Sequence, residues 1–122
     1  MFKVNSDPSK NRLYITLEEL DETIIKPILK DLSENVGNLT PGFTCLVDIR
    51  KMSYEEHSKG AEYVEIIQGA LTDAGMKKVV RIVDENNLDS QDLMNENSAL
   101  SGYYGDPVYS IEDAEKILDQ AT

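Results

Sequence analysis

Three residue types are scarce in this 122-residue sequence: tryptophan is absent, and cysteine and histidine each occur once. A single cysteine excludes an internal disulfide. Because Cys45 lies within an apolar run, we expect it to be a buried, reduced thiol, which fits a cytoplasmic setting. One cysteine and one histidine also leave no paired ligand spacing for zinc or iron, so the sequence predicts neither a metal nor another cofactor.

Long apolar runs and positive charge are also in short supply. No run approaches the roughly 20 residues that cross a bilayer, and the first residues contain no apolar signal core. Only 12 basic residues stand against 23 acidic ones, so the net charge is −11. Such a field repels phosphate backbones and anionic membrane surfaces. We therefore expect no membrane span and no nucleic-acid partner. The length of 122 residues is enough for one hydrophobic core and too short for two, so we expect a single domain over residues 1–122.

The first third of the chain has the hydrophobic pattern of two strands followed by a helix. Phe2 and Val4, and then residues 13–17, alternate apolar and polar side chains, which is typical of strands with one buried face. From residue 21 to residue 39 the apolar residues recur at three and four positions, which predicts a helix. The first strand is predicted to be exposed, so it could pair with a second copy of the chain.

Two later runs, 44–49 and 79–83, carry apolar residues on both alternations, which is typical of strands buried on both faces. A long helical pattern separates them and is predicted to end near Ala74, with Gly75 as a left-handed cap. Two buried strands joined by a helix form a parallel βαβ unit. A weak helix within residues 84–102 and a short strand at Val108 and Tyr109 follow. Ser110 caps a final helix, whose predicted buried stripe is Ile111, Ala114, Ile117 and Leu118. The predicted order is therefore ββαβαβαβα, an α/β fold.

This element order resembles the STAS family, the anti-sigma-factor antagonist (SpoIIAA-like) domains. Three short motifs carry the resemblance: Leu20-Asp21-Glu22-Thr23, Leu46-Val47-Asp48-Ile49, and the C-terminal helix that begins Ser110-Ile111-Glu112-Asp113. The resemblance covers nearly the whole chain. It implies a single-layer mixed sheet of four to five strands with about four helices, largely on one side. It also implies a non-catalytic signalling domain whose partner is a regulatory kinase, an anti-sigma-like protein or a second copy.

The resemblance also bears on phosphorylation. In the antagonists of this family, a strand-ending aspartate is followed by a loop and then by an Asp-Ser-Ser-Gly sequence, whose serine a partner kinase phosphorylates. Asp48 matches the strand-ending residue, and Ser58 matches the second serine, which makes Ser58 the candidate phospho-acceptor. The neighbouring positions read Glu56, His57 and Lys59. Because this motif is degraded, we expect the standard phosphoserine switch to be lacking.

Local sequence physics supports that expectation. Residues 53–56 form a capping box, which predicts that the helix begins at Ser53 and that Ser58 lies more than one turn inside it. A phosphate on Ser58 would then stand beside acidic side chains such as Glu55, so a solvated helix serine is the favoured interpretation. The predicted partner-docking residues are Asp48, Ser53, Glu55, Glu56, Ser58 and Lys59. Of these, Ser53 also caps the helix.

Two other classes of function remain open. The first is binding of a small apolar or lipid-like ligand between the sheet and a movable helix, because the chain is also similar to Sec14-like relatives. The second is an enzyme that uses Asp48 and His57. However, His57 lies one heptad before Val64, which favours a partly buried histidine over a catalytic base. Capping of the following loop explains Asp48 as well as a perturbed carboxylate does, so we predict no catalytic residue.

Overall fold

The computed structural model describes residues 2–18, 22–51, 57–84 and 108–120. Its strands are β1 (Phe2–Asp7), β2 (Arg12–Leu17), β3 (Thr44–Asp48) and β4 (Lys78–Ile82), and its helices are α1 (Glu22–Val36), α2 (His57–Asp73) and α3 (Ile111–Gln120). None of the three helices in these ranges has the length and hydrophobicity of a membrane span.

The strands form one mixed sheet in the order β1-β2-β3-β4. β1 pairs with β2 in antiparallel fashion, whereas β2, β3 and β4 run parallel to one another. A single parallel bridge joins Val108 to Ile82 where the fifth strand was predicted. The predicted helix within residues 84–102 lies outside the described part of the chain. The predicted mixed α/β sheet is confirmed, with four strands and three helices in the described ranges.

One face of the sheet packs against α1 and α2. The alternating residues Leu13, Ile15 and Leu17 are at most 3% exposed, as their spacing predicts. Burial of each such side chain contributes about 1.5–3 kcal/mol, so this face provides much of the stability. On this side of the sheet, Ile28 of α1 and Leu71 of α2 are buried in the core. The two parallel runs are buried on both faces, also as predicted.

The opposite face of the sheet is covered by α3. Ala114 and Leu118 are fully buried, as the predicted apolar stripe requires, but Ile111 is 47% exposed. The prediction that Ile111 is buried is therefore wrong. The reason is position: α3 begins just after Val108, which pairs with the last residue of β4, so the first turn of α3 lies past the end of that strand.

A buried arginine ties α3 to the sheet. Arg12, at the start of β2, is only 1% exposed. Each of its three guanidinium nitrogens donates a hydrogen bond. Nε donates to Thr44 Oγ1 at 3.0 Å, Nη1 to Glu115 Oε1 at 2.8 Å, and Nη2 to Asp119 Oδ1 at 2.9 Å. Because each guanidinium nitrogen has an acceptor, the buried charge is compensated.

Glu115 is the centre of this network. Besides Arg12, the hydroxyl of Tyr14 and the ammonium of Lys10 each donate to its carboxylate at 2.9 Å. Partial burial alone would raise the pKa of Glu115, but hydrogen bonds from the two cations and the hydroxyl outweigh it and lower the pKa. The carboxylate is therefore ionised at neutral pH, and it holds α3 at the amino-terminal edge of β2.

Candidate functional site

A cleft of about 360 Å³ lies at the carboxyl ends of the parallel strands. Because β2, β3 and β4 run in the same direction, residues that end or follow them meet at one edge of the sheet. The cleft is lined by Thr16, Leu17, Glu18, Asp48, Arg50, Lys51 and Asp84. This is the edge of the sheet at which the sequence predicts the junction between β3 and α2.

Asp48 ends β3 and is locked in place by Arg50. Its Oδ1 accepts hydrogen bonds from the backbone N–H of Arg50 at 3.1 Å and from Arg50 Nε at 3.0 Å, and its Oδ2 accepts one from Arg50 Nη2 at 2.8 Å. The same carboxylate therefore caps the loop after β3 and forms a bidentate ion pair with the guanidinium of Arg50. Side-chain exposure is 15% for Asp48 and 38% for Arg50, so the pair remains open to the cleft.

The ion pair fixes the protonation state of Asp48. Partial burial would raise its pKa, but the hydrogen bonds from Arg50 and the charges of Arg50 and Lys51 outweigh burial and lower the pKa. Asp48 in turn raises the pKa of Arg50, and the charge of Asp84 adds to that effect. At neutral pH both partners are charged. An ionised carboxylate whose pKa is lowered is poorly suited to general acid–base work.

We expect the titration of Asp48 to show its dependence on Arg50. In the wild type, the midpoint of the Asp48 carboxyl carbon, followed by NMR from about pH 2 to pH 7, should fall below the ordinary value of 3.8. Arg50→Met should move it upward, because burial is then opposed only by the backbone N–H of residue 50 and by the charge of Lys51. The stabilisation that the pair provides is thus present above the ordinary value and is lost as the pH falls through the lowered one.

Lys51→Met is the matched control for this titration. Lys51 acts on Asp48 through charge alone, and it is the smallest of the causes of the lowered pKa. The midpoint should therefore rise much less than in Arg50→Met. Equal midpoints in the two variants would contradict the role of the hydrogen bonds from Arg50.

The cleft combines charges of both signs. Three carboxylates, those of Glu18, Asp48 and Asp84, stand with two cations, Arg50 and Lys51. This balance suits a protein surface that presents complementary charges better than it suits a phosphate group, which the carboxylates would repel. The described residues contain no cluster of histidine, cysteine, aspartate and glutamate that could hold a metal ion.

The structure places one of the predicted docking residues, Asp48, directly on the cleft. Ser53, Glu55 and Glu56 lie outside the described residues, and so does the predicted helix start at Ser53. The backbone of residues 57–59 forms the first described turn of α2, but the side chains of His57, Ser58 and Lys59 lie outside the described part.

Six of the seven cleft residues are not predicted as site residues from the sequence: Thr16, Leu17, Glu18, Arg50, Lys51 and Asp84. Two of them had a signal. Asp84 follows the buried strand β4 much as Asp48 ends the buried strand β3, and parallel strands bring such positions together. Arg50 lies two residues after an aspartate, which is the spacing at which an aspartate side chain accepts from the backbone. Thr16 had none, because its place depends on register alone.

Cys45 is the buried thiol that the sequence predicts. It is 0% exposed, and burial raises its pKa to about 12. At neutral pH the thiol is protonated and cannot act as a nucleophile. Burial therefore argues against catalysis by this cysteine.

A second, smaller cavity lies between the sheet and α2. Its volume is about 20 Å³, and its lining residues are Ile15, Leu17, Val47, Ile49, Ile67, Gln68 and Arg81. Gln68 Oε1 is buried there without a hydrogen-bond partner. That volume is enough for about one water, whereas ligand pockets are roughly 300 Å³ or more. A lipid-like ligand would enter this space only if α2 moved.

Comparison with known proteins agrees with this architecture. No protein-family model matches the sequence, and no curated protein matches it. A solved structure, described as the anti-sigma factor antagonist SpoIIAA in its unphosphorylated form, matches with a TM-score of 0.67 at 15% sequence identity. The match covers 98% of this chain and 97% of that chain. The chain therefore has a SpoIIAA-like fold, as the resemblance in the sequence implied.

Proposed function

We propose that this chain is a non-catalytic signalling and protein-interaction domain of the STAS type, acting without the standard phosphoserine switch. Its partner docks at the β3–α2 junction, defined as Asp48, Ser53, Glu55, Glu56, Ser58 and Lys59. The observation that carries the proposal is the Asp48–Arg50 ion pair, which is charged, partly exposed and fixed at the end of β3. A preformed ion pair on a cleft offers a partner an oriented charge pattern at little ordering cost.

The fold supports this class of function. The matching structure is that of an anti-sigma factor antagonist, a protein that acts through another protein. By analogy, the partner of this chain is a regulatory kinase, an anti-sigma-like protein or a second copy, in a cytoplasmic setting. The buried, protonated Cys45 and the ionised Asp48 favour an interaction domain over an enzyme.

A charge swap tests the docking proposal. Glu56→Lys/Lys59→Glu leaves the net charge at −11, so it changes the local pattern at the junction and not the overall field. We expect partners that co-purify with the tagged wild type to fall about tenfold with the swap, because misplaced rim charges cost on the order of 1.4 kcal/mol. Quantitative mass spectrometry of the purified complexes measures the change.

Glu34→Lys is the control for the charge swap. Glu34 is exposed near the end of α1, towards the opposite edge of the sheet, and its reversal changes the net charge by two without touching the junction. Its partners should be retained. If the swap kept every partner at the wild-type level, docking at the junction would be refuted.

Ser58→Ala tests the absence of the phosphoserine switch within the same experiment. Because the motif around Ser58 is degraded, this variant removes a hydroxyl and no phosphate, so it should reduce its partners far less than the charge swap does. A phosphate on Ser58 in protein isolated from its native cells, together with loss of partners in Ser58→Ala, would contradict this part of the proposal.

A further inference from the structure

We propose that the outward face of α2 is a second docking surface, which accepts an amphipathic helix with basic flanks from a partner protein. The α2 outward face consists of Glu62, Glu65, Ile66, Gly69, Ala70 and Asp73, all of them exposed. The inference rests on the proposed function, because it extends the contact of the same partner from the β3–α2 junction along the helix.

Helix geometry sets these residues apart from the core. Ile67 and Leu71 of α2 are 4% and 1% exposed, so they mark the side that packs on the sheet. Glu62, Ile66 and Gly69 follow one another at intervals of four and three, which places them in one line on the other side. At the centre of that line, Ile66 leaves 47% of its surface exposed. A single exposed isoleucine is ordinary on a protein surface. The glycine beside it on this face, Gly69, is unusual.

Gly69 is a glycine that this chain does not need. It lies in the interior of α2 without a positive φ, and a Cβ added there would meet no atom of the described residues within 4 Å beyond the backbone of its own helix. Glycine inside a helix is destabilising relative to alanine, so its presence calls for a reason. Neither the backbone conformation nor packing against the described residues supplies one. Close approach of a second backbone beside Ile66 does, because a side chain at position 69 would hold that backbone away.

The charges on the α2 outward face are of one sign. Glu62, Glu65 and Asp73 surround Ile66 and Gly69, and no basic residue occurs from Glu62 to Met76. A partner that buries Ile66 must place its own flanking side chains against these carboxylates. Lysine or arginine flanks complement them, whereas acidic flanks are repelled.

A second copy of this chain does not fit. An antiparallel crossing that sets Ile66 against Gly69 of the copy also sets Glu62 against Asp73 of the copy, because the two pairs share one register. A parallel crossing sets Glu62 against Glu62. Both arrangements oppose like charges, and each chain carries a net charge of −11. The occupant is therefore a different protein.

A synthetic peptide tests the chemistry directly. The probe has about four helical turns, a leucine and alanine stripe, and lysine on both flanks. Titrated into the nitrogen-15-labelled full chain, it should shift the backbone amides of residues 62–73, with a dissociation constant on the order of 10⁻⁴ M. A peptide with glutamate in place of every lysine should cause no shift, and a scrambled lysine peptide should cause only weak shifts spread over the whole surface.

Three variants of the chain complete the test. Gly69→Gln places a side chain at the centre of the surface and should weaken binding of the lysine peptide at least about tenfold. Gly69→Ala should raise the melting temperature by about 3 °C, because helix propensity improves and nothing clashes. Ser33→Gln, at an exposed position of α1, is the matched control and should leave binding unchanged.

Equal binding of the lysine and glutamate peptides, shifts centred outside α2, or undiminished binding by Gly69→Gln would each overturn the inference. The natural partner separates this inference from the proposed function. If the Glu56→Lys/Lys59→Glu swap releases that partner while Gly69→Gln retains it, the α2 outward face is refuted and docking at the junction stands. If Gly69→Gln releases the partner while the swap retains it, this surface is supported and the junction is refuted.

Discussion

Replacing Arg12 with methionine is expected to lower the free energy of unfolding by about 2–4 kcal/mol, although the charge lies far from the candidate site. Methionine keeps most of the buried aliphatic volume, so the loss comes from polar groups. The hydroxyl of Thr44, which is 1% exposed, loses its donor, and Glu115 and Asp119 lose their buried cation. Urea denaturation followed by circular dichroism and tyrosine fluorescence measures the change.

Lys10→Met is the matched control for Arg12→Met. Lys10 donates to the same carboxylate, that of Glu115, but its side chain is 44% exposed, against 1% for Arg12. Exposed ion pairs contribute little, so the denaturation midpoint should hardly move. Arg12→Lys should recover only a small part of the loss, because an ammonium cannot span three acceptors in the fixed geometry of a guanidinium. Equal losses in Arg12→Met and Lys10→Met would show that burial of Arg12 does not decide its contribution.

The two polar clusters of the fold differ in a way that separates stability from recognition. At the amino-terminal edge of β2, Arg12 is buried and all three of its donor groups have protein acceptors. At the carboxyl-terminal edge, Asp48 and Arg50 make an equally short ion pair, but Arg50 is 38% exposed and the pair borders an open cleft. In the first cluster the guanidinium is buried and its donors are already used, so it offers nothing to a partner, although Lys10 and Asp119 beside it are exposed. The second is ordered and still accessible, which is the combination that docking requires.

The sheet could be predicted from the sequence because its signals are local. Alternation at residues 13–17 requires only that one strand face be buried, and the two runs with apolar residues on both alternations require cover on both faces. The end of α2 could also be predicted, since a glycine after an apolar helix stripe predicts a left-handed cap. Each of these features depends on residues within a few positions of one another.

The Arg12 network could not be predicted, because its partners are remote. An arginine at the start of a strand is ordinarily exposed, and Glu115 lies 103 positions further along the chain. Nothing in the local pattern distinguishes Glu115 from the other acidic residues of the C-terminal helix. The same contrast holds at the cleft. Asp48 could be predicted as a site residue because it ends an apolar run, which is a local signal. Thr16 reaches the cleft only through the parallel pairing of β2 with β3, which is not.

Gly75→Ala is expected to lower the free energy of unfolding by about 2–4 kcal/mol, for two separable reasons. Gly75 follows α2, and its N–H and that of Met76 close the helix end on Thr72 and Leu71 at 3.0 and 3.1 Å, the hydrogen bonds of a Schellman motif. Its φ of 103° is one that alanine rarely adopts. In addition, an alanine Cβ would stand 3.0 Å from the Cβ of Pro41 and 3.1 Å from its Cα.

Gly42→Ala separates these two reasons, because Gly42 shares the backbone conformation without the contact. Its φ is 93°, and an added Cβ would meet nothing within 4 Å. Only the conformational cost applies, so we expect a loss of about 1–2 kcal/mol, measured by the same urea denaturation. The excess in Gly75→Ala then measures the contact with Pro41, through which the end of α2 packs on the turn before β3. Equal losses at the two glycines would mean that the loop yields to the methyl group, and that this turn does not fix the end of α2.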